Sequence, residues 1–252
     1  MKPVFVRGVT IGEGSPKICM PLVARNRAGL RAAAREAAGL RPDLLEWRAD
    51  YYEGLNAGDI PELLWELRGE IGEMPLLFTF RSSEEGGVRP LPEEGRLSLM
   101  EAAVEAGADL LDAELSLGEG RLGPLLAHAH ARCRPVILSN HHFEGTPPVA
   151  EMVDILRREQ ACGGDIAKLA VMPHSPADLL ALLEATLRMQ EQFARIPLIT
   201  MSMGAVGLPS RVCGGLFGSA VTFGAGRQAS APGQIGVQEL RAFCRALNPP
   251  EN

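Results

Sequence analysis

Lys168 stands in the apolar run Asp165-Ile166-Ala167-Lys168-Leu169-Ala170-Val171. A lysine is disfavoured in a buried strand unless its ammonium is paired or its proton affinity is lowered. Desolvation favours the neutral amine, the form that attacks a carbonyl to give an imine. A nearby cation acts in the same direction, and Arg48, Arg81 and Arg211 are candidates. The competing reading is a structural lysine paired with an interior carboxylate such as Glu114. His141, in Ser139-Asn140-His141-His142, is the natural proton carrier because an unperturbed imidazole titrates near neutrality. Adjacent strand residues point to opposite sides, so either His141 or His142 faces inward, and spacing alone does not choose. That divergence, with no further ligand pattern nearby, disfavours a metal site. Arg211, after Gly207-Leu208-Pro209-Ser210, is suited to grip a carboxylate through two parallel hydrogen bonds, or else is a solvated loop arginine. Ser230-Ala231-Pro232-Gly233-Gln234 reads as a mobile loop with polar groups to close over a ligand.

These residues need a scaffold that gathers them. Eight short runs rich in β-formers recur, at residues 18–24, 44–48, 75–81, 109–115, 135–141, 166–172, 197–203 and 220–225. Helical periodicity separates most of them, clearest at 28–38, 60–71, 97–106, 149–160 and 177–193, with a last helix at 235–247. Near-continuous apolar strands alternating with amphipathic helices indicate a parallel sheet covered by helices. Eight such units suit a closed (β/α)8 TIM barrel forming one domain over 1–252, better than an open sheet. Val4 to Val9 and the Gly12-Glu13-Gly14 turn read as a small N-terminal hairpin capping one end. A barrel carries its chemistry at the C-terminal strand ends. There the sequence places Glu46 with Arg48, then Arg81, Asp112 with Glu114, His141, and Met201 with Met203. Pairs two apart share a face.

Composition sets the outer bounds. The chain has 252 residues, 46% of them hydrophobic, and a net charge of −6. The pI near 5.5 argues against a general nucleic-acid surface, so arginines must make any anion site locally. No apolar stretch reaches membrane-spanning length, and the N-terminus lacks a secretory pattern, so a soluble cytoplasmic protein is expected. Five scattered cysteines read as mostly buried reduced thiols. Gly214-Gly215-Leu216-Phe217-Gly218 and Gly224-Ala225-Gly226 match neither the dinucleotide nor the P-loop pattern.

Taken in order, several segments resemble type I 3-dehydroquinate dehydratase, the Schiff-base enzyme of the shikimate route. They are Leu45-Glu46-Trp47-Arg48, Leu77-Phe78-Thr79-Phe80-Arg81-Ser82, Ser139-Asn140-His141, Ile199-Thr200-Met201-Ser202-Met203, the stretch from Phe217 to Gly224, and Ala229-Ser230-Ala231-Pro232-Gly233-Gln234. The resemblance runs through essentially the whole chain. It implies a (β/α)8 fold and an imine between Lys168 and the substrate ketone, with His141 moving protons and Glu85 orienting it. It further implies that Arg211 binds the substrate carboxylate. Glu46, Arg48, Arg81, Ser230 and Gln234 would hold hydroxyls and the closed loop, and Met201, Met203 and Phe223 would form apolar walls. No metal or organic cofactor is implied, and the partners are the small-molecule substrate and a second copy in a homodimer. One departure stands out: the family commonly has an acid directly after the histidine, where this chain has His142.

Two rivals remain at this level. Another lysine-imine barrel, an aldolase acting on a phosphorylated sugar, would need a phosphate site near the last two strands. Arg211 and the serine–glutamine loop match a carboxylate and hydroxyls better. A barrel that only binds a metabolite would have no use for Lys168, His141, Glu85 and Arg211 together.

Overall fold

The computed structural model describes residues 1–226 and 233–247. Two antiparallel strands, β1 (Val4–Val6) and β2 (Val9–Ile11), come first. Eight parallel strands follow: β3 (Lys17–Leu22), β4 (Leu44–Arg48), β5 (Leu76–Thr79), β6 (Leu110–Glu114), β7 (Val136–His142), β8 (Ile166–Val171), β9 (Leu198–Ser202) and β10 (Val221–Phe223). Their order is β10-β3-β4-β5-β6-β7-β8-β9. The ring closes between β9 and β10 through the Leu198–Ser219 bridge and the Ala220 N–H to Leu198 carbonyl bond. This is the expected (β/α)8 barrel.

The helices are α1 (Arg27–Leu40), α2 (Ile60–Ile71), α3 (Glu93–Glu105), α4 (Glu119–His130), α5 (Val149–Ala161), α6 (Pro176–Gln192), α7 (Leu208–Cys213) and α8 (Val237–Leu247). Their starts follow from capping chemistry. Asn26 accepts the Gly29 N–H at the head of α1, and Ser175 with Asp178 forms a reciprocal capping box at α6. No helix among the described residues is long and apolar enough to cross a membrane.

The period of two in each strand sorts side chains into two cores. Outward residues such as Leu45, Trp47, Phe78, Leu111, Leu138, Ala167 and Leu169 pack under the helices. Inward residues Cys19, Leu44, Leu77, Leu110, Ile137, Ile166 and Val221 fill the end of the barrel where the strands begin, and Val6 and Ile11 of the hairpin join them. Further along, the inward positions turn polar: Leu44 gives way to Glu46 and Arg48, Leu110 to Asp112 and Glu114, Ile137 to Ser139 and His141, and Ile166 to Lys168. One end is therefore a hydrophobic floor and the other a charged chamber.

The hairpin closes the floor, but its turn is not at Gly12-Glu13-Gly14. The reversal is at Arg7 and Gly8, both with positive φ (42° and 82°), the geometry that tight two-residue hairpins require. Gly12 begins the connection to β3, and a side chain there would press on Pro197. Arg7 donates to Asp109 at 2.6 Å, which clasps the hairpin to the start of β6. Among the cysteines, Cys19 and Cys244 are buried, Cys162 and Cys213 half-buried, and Cys133 exposed, all as free thiols. The expectation of mostly buried thiols thus fails for Cys133 and holds fully for two.

Candidate active site

The charged chamber contains a cavity of about 250 Å³ at the C-terminal strand ends. Lys168 and His141 line it together with Glu85, Glu46, Arg48, Arg81, Met201, Met203, Phe223 and Gln234. Tyr51, Gly86, Phe143 and Ala170 line it as well. Ser230 lies outside the described residues.

Lys168 is 3% exposed. Its Nζ donates to Asp112 Oδ2 at 2.8 Å, lies 3.8 Å from Glu46 Oε1 and stands 4.9 Å from the centre of the Phe223 ring. The carboxylate partner is thus Asp112 and not Glu114, because the stagger of neighbouring strands sets the inward side chain of β6 nearest the amine. Glu114 is taken up elsewhere: it accepts from Arg81 Nη1 (3.0 Å), Arg96 Nη1 (2.7 Å) and the Ser82 N–H (2.7 Å). Asp112 also accepts from Arg81 Nη2 and the Ser139 hydroxyl, each at 2.7 Å. Burial alone would raise the Asp112 carboxyl, but Arg81 and Lys168 hold it well below the ordinary range.

His141 faces inward and His142 does not. His141 Nδ1 lies 2.8 Å from Glu85 Oε2, and Glu85 Oε1 accepts from the Ser116 hydroxyl at 3.1 Å. With Nδ1 committed to Glu85, Nε2 is the nitrogen left to serve the cavity. Burial, then the positive charges of Arg81 and Lys168, push the imidazole well below its usual value. Burial pushes the Glu85 carboxyl up to about 7, against the pull of Arg81. His142 and Asn140 point the other way, into an outer groove with Ser116, Glu151 and Arg158.

Arg48 sends Nε and Nη2 to the two oxygens of Asp50, each at 2.8 Å, with its guanidinium 5.1 Å from the Tyr51 ring centre. Arg211 lies inside α7, where its local reading as a solvated loop residue does not hold: it is 2% exposed. Its Nη1 is 3.9 Å from Met201 Sδ, just behind the cavity wall, and its carbonyl accepts from the Thr222 hydroxyl. Burial lowers its guanidinium to about 10, still a cation at neutral pH.

Sequence reasoning assigned no role to Asp112, although its inward parity with Glu114 was visible. Phe143 comes from the loop after β7 and leans on Gly86, where any Cβ would overlap its ring. Gly86 also has φ +84°, so glycine there is required twice over. Neither loop contact leaves a periodic trace in the sequence.

The model of the family described as Type I 3-dehydroquinase matches residues 18–249. A protein named 3-dehydroquinate dehydratase from Bacillus licheniformis is 48% identical over 249 residues, 98% of each chain. A solved 3-dehydroquinate dehydratase from Geobacillus kaustophilus superposes with a TM-score of 0.96 at 40% identity, covering 100% of this chain and 98% of that one. The type I 3-dehydroquinate dehydratase of Clostridium difficile, solved with covalent modified comenic acid, gives 0.95 at 42% identity, covering 98% of each.

Proposed function

The chain belongs to the type I 3-dehydroquinase family of hydro-lyases, and from that premise we propose that Lys168 dehydrates 3-dehydroquinate to 3-dehydroshikimate through an imine. The observation that carries the reading is the placement of Lys168 Nζ and the His141–Glu85 pair on one cavity.

In the proposed sequence Lys168 passes a proton to His141 and its neutral amine adds to the C3 ketone; the imidazolium returns that proton to the carbinolamine hydroxyl, which leaves as water and gives a protonated imine, with His141 neutral again. That cation is an electron sink. Removal of the C2 proton by His141 Nε2 therefore yields an enamine rather than a free enolate. The enamine electrons then expel the C1 hydroxyl, which takes a proton from the imidazolium and leaves as water. A water molecule hydrolyses the product imine and frees Lys168, so the net change is loss of one water. General acid–base help is worth about 10²–10⁴-fold, so covalent activation must carry much of the remainder. The electron sink is the lysine imine itself, and no metal or cofactor enters the sequence.

Glu85 would hold His141 with Nε2 toward the substrate. Arg211 would meet the substrate carboxylate from behind Met201, while Met203 and Phe223 wall the ring with it. Glu46, Arg48, Arg81 and Gln234, together with Ser230, would take the hydroxyls. The ionised Asp112 beside Nζ would hold the Lys168 side chain in position for attack.

The same reading takes residues 1–252 as one domain, acting in the cytoplasm as a homodimer on a small-molecule substrate. Light scattering of the purified chain tests the dimer. Borohydride reduction in the presence of 3-dehydroquinate, followed by peptide mass mapping, tests the chemistry. The expected adduct is on Lys168. An adduct on another residue, or none in an active preparation, overturns the mechanism.

A further inference from the structure

Helix α5 buries Met152, Ile155, Leu156 and Glu159 along one stripe, at the spacings of three, four and seven that define a helix face. The first three are apolar, and an apolar residue is the expected fourth. Glu159 instead brings a carboxyl to a position with 0% exposure. Its Oε2 accepts the backbone N–H of Lys168 at 2.9 Å, while Oε1 has no partner among the described residues. A buried oxygen left without a partner is destabilising. A leucine would remove that unpartnered oxygen but leave the Lys168 N–H without an acceptor, so the polar group is kept for what it holds.

Lys168 is therefore held at both ends. Inside the barrel its Nζ meets Asp112, and outside the strand wall its N–H meets Glu159. We propose that Glu159 is a positioning residue for Lys168: from the helix layer its carboxyl fixes the lysine backbone, and so the direction in which the side chain enters the cavity. This rests on the assignment of Lys168 as the imine-forming residue. Burial raises the Glu159 carboxyl well above the carboxylate range, and the negative charges of Glu85 and Asp112 add to the rise, while the Lys168 N–H bond and the Lys168 charge oppose it. The role on Lys168 needs one oxygen that accepts one hydrogen bond, a task that an amide oxygen also performs.

The test compares the full chain with its Glu159→Gln, Glu159→Leu and Glu159→Met variants. Turnover of 3-dehydroquinate, the rate of borohydride trapping and the melting temperature are measured on each. Glu159→Gln keeps the acceptor and is expected to stay within about 3-fold of the parent kcat, with an unmoved pH profile. Glu159→Leu and Glu159→Met lose it, and kcat and trapping rate should fall together by roughly 10- to 100-fold with KM nearly constant. Their melting temperatures should stay near the parent's, because the unpartnered Oε1 is removed while the Lys168 N–H loses its acceptor. Parent-like trapping in the Leu and Met variants overturns the proposal, as does a Gln variant no better than Leu. If neither apolar variant folds, the role is structural and the proposal fails. An adduct away from Lys168 in the parent chain sinks the imine assignment instead, so the two failures are distinguishable.

Discussion

Glu85 Oε2 lies 2.8 Å from His141 Nδ1, and burial drives the two groups toward a shared proton, raising the carboxyl to about 7 and lowering the imidazole. Below about 7 a protonated Glu85 donates to Nδ1 and leaves Nε2–H facing the substrate, which is not a base. Above it the carboxylate accepts Nδ1–H and frees the Nε2 lone pair. The rate should accordingly rise through a limb near 7 that Glu85→Gln abolishes. Stability runs the opposite way. A folded value of about 7 against an ordinary 4.5 means that the folded chain holds this proton more tightly. The contribution is full below about 4.5 and is lost as pH rises to about 7. Melting scans should show Glu85→Gln gaining on the parent between pH 5 and pH 8, and a constant gap would contradict the assignment.

His141 and His142 are neighbours in sequence and separated by the strand wall. His141→Ala should lower kcat by about 10²–10⁴-fold, the usual scale of general acid–base help. His142→Ala faces the outer groove and should stay within a small factor of the parent. Steady-state kinetics on both variants decides it, and equal losses would reverse the inward assignment.

Asp112 joins Lys168, Arg81 and Ser139 in one buried network. Asp112→Ala leaves two cations short of a partner, and breaking a buried pair in this way costs about 3–5 kcal/mol. A denaturant titration with unchanged slope should show the loss as a lower midpoint. A parent-like midpoint would mean that the network contributes little.

Gly86 and Gly54 both have positive φ, at 84° and 69°, but only Gly86 has the Phe143 ring against it. Gly54→Ala should cost about 1–2 kcal/mol of backbone strain and leave activity alone. Gly86→Ala should cost more and disturb turnover as well, because it displaces a side chain of the cavity wall. The comparison is read from paired melting and kinetic measurements.

Much of the fold and of the site is legible in the sequence. The eight strands announced themselves because strands buried on both faces must be apolar almost throughout, and Lys168 was conspicuous against that background. Helix α4 was not, since Gly120, Gly123 and Pro124 dilute its stripe. The hairpin turn was misplaced because Gly12 and Gly14 looked stronger than Arg7-Gly8, whose arginine accepts a conformation that the type rarely adopts. The choice of Asp112 over Glu114 needed the stagger between strands, which no single-strand pattern carries. Phe143 and Tyr51 reach the cavity from loops and turns, where there is no periodicity to read. Arg96 reaches Glu114 from α3, a contact that depends on where a helix lies over the sheet.

The hairpin seated under β3 to β8 makes the barrel a blind-ended vessel. Val6 and Ile11 cork it at one end, so among the described residues the way to Lys168 is through the mouth where the strands finish. Among the described residues, substrate, expelled water and product then share the doorway at that mouth. Under the proposed chemistry a lingering product bars the next substrate physically as well as by affinity.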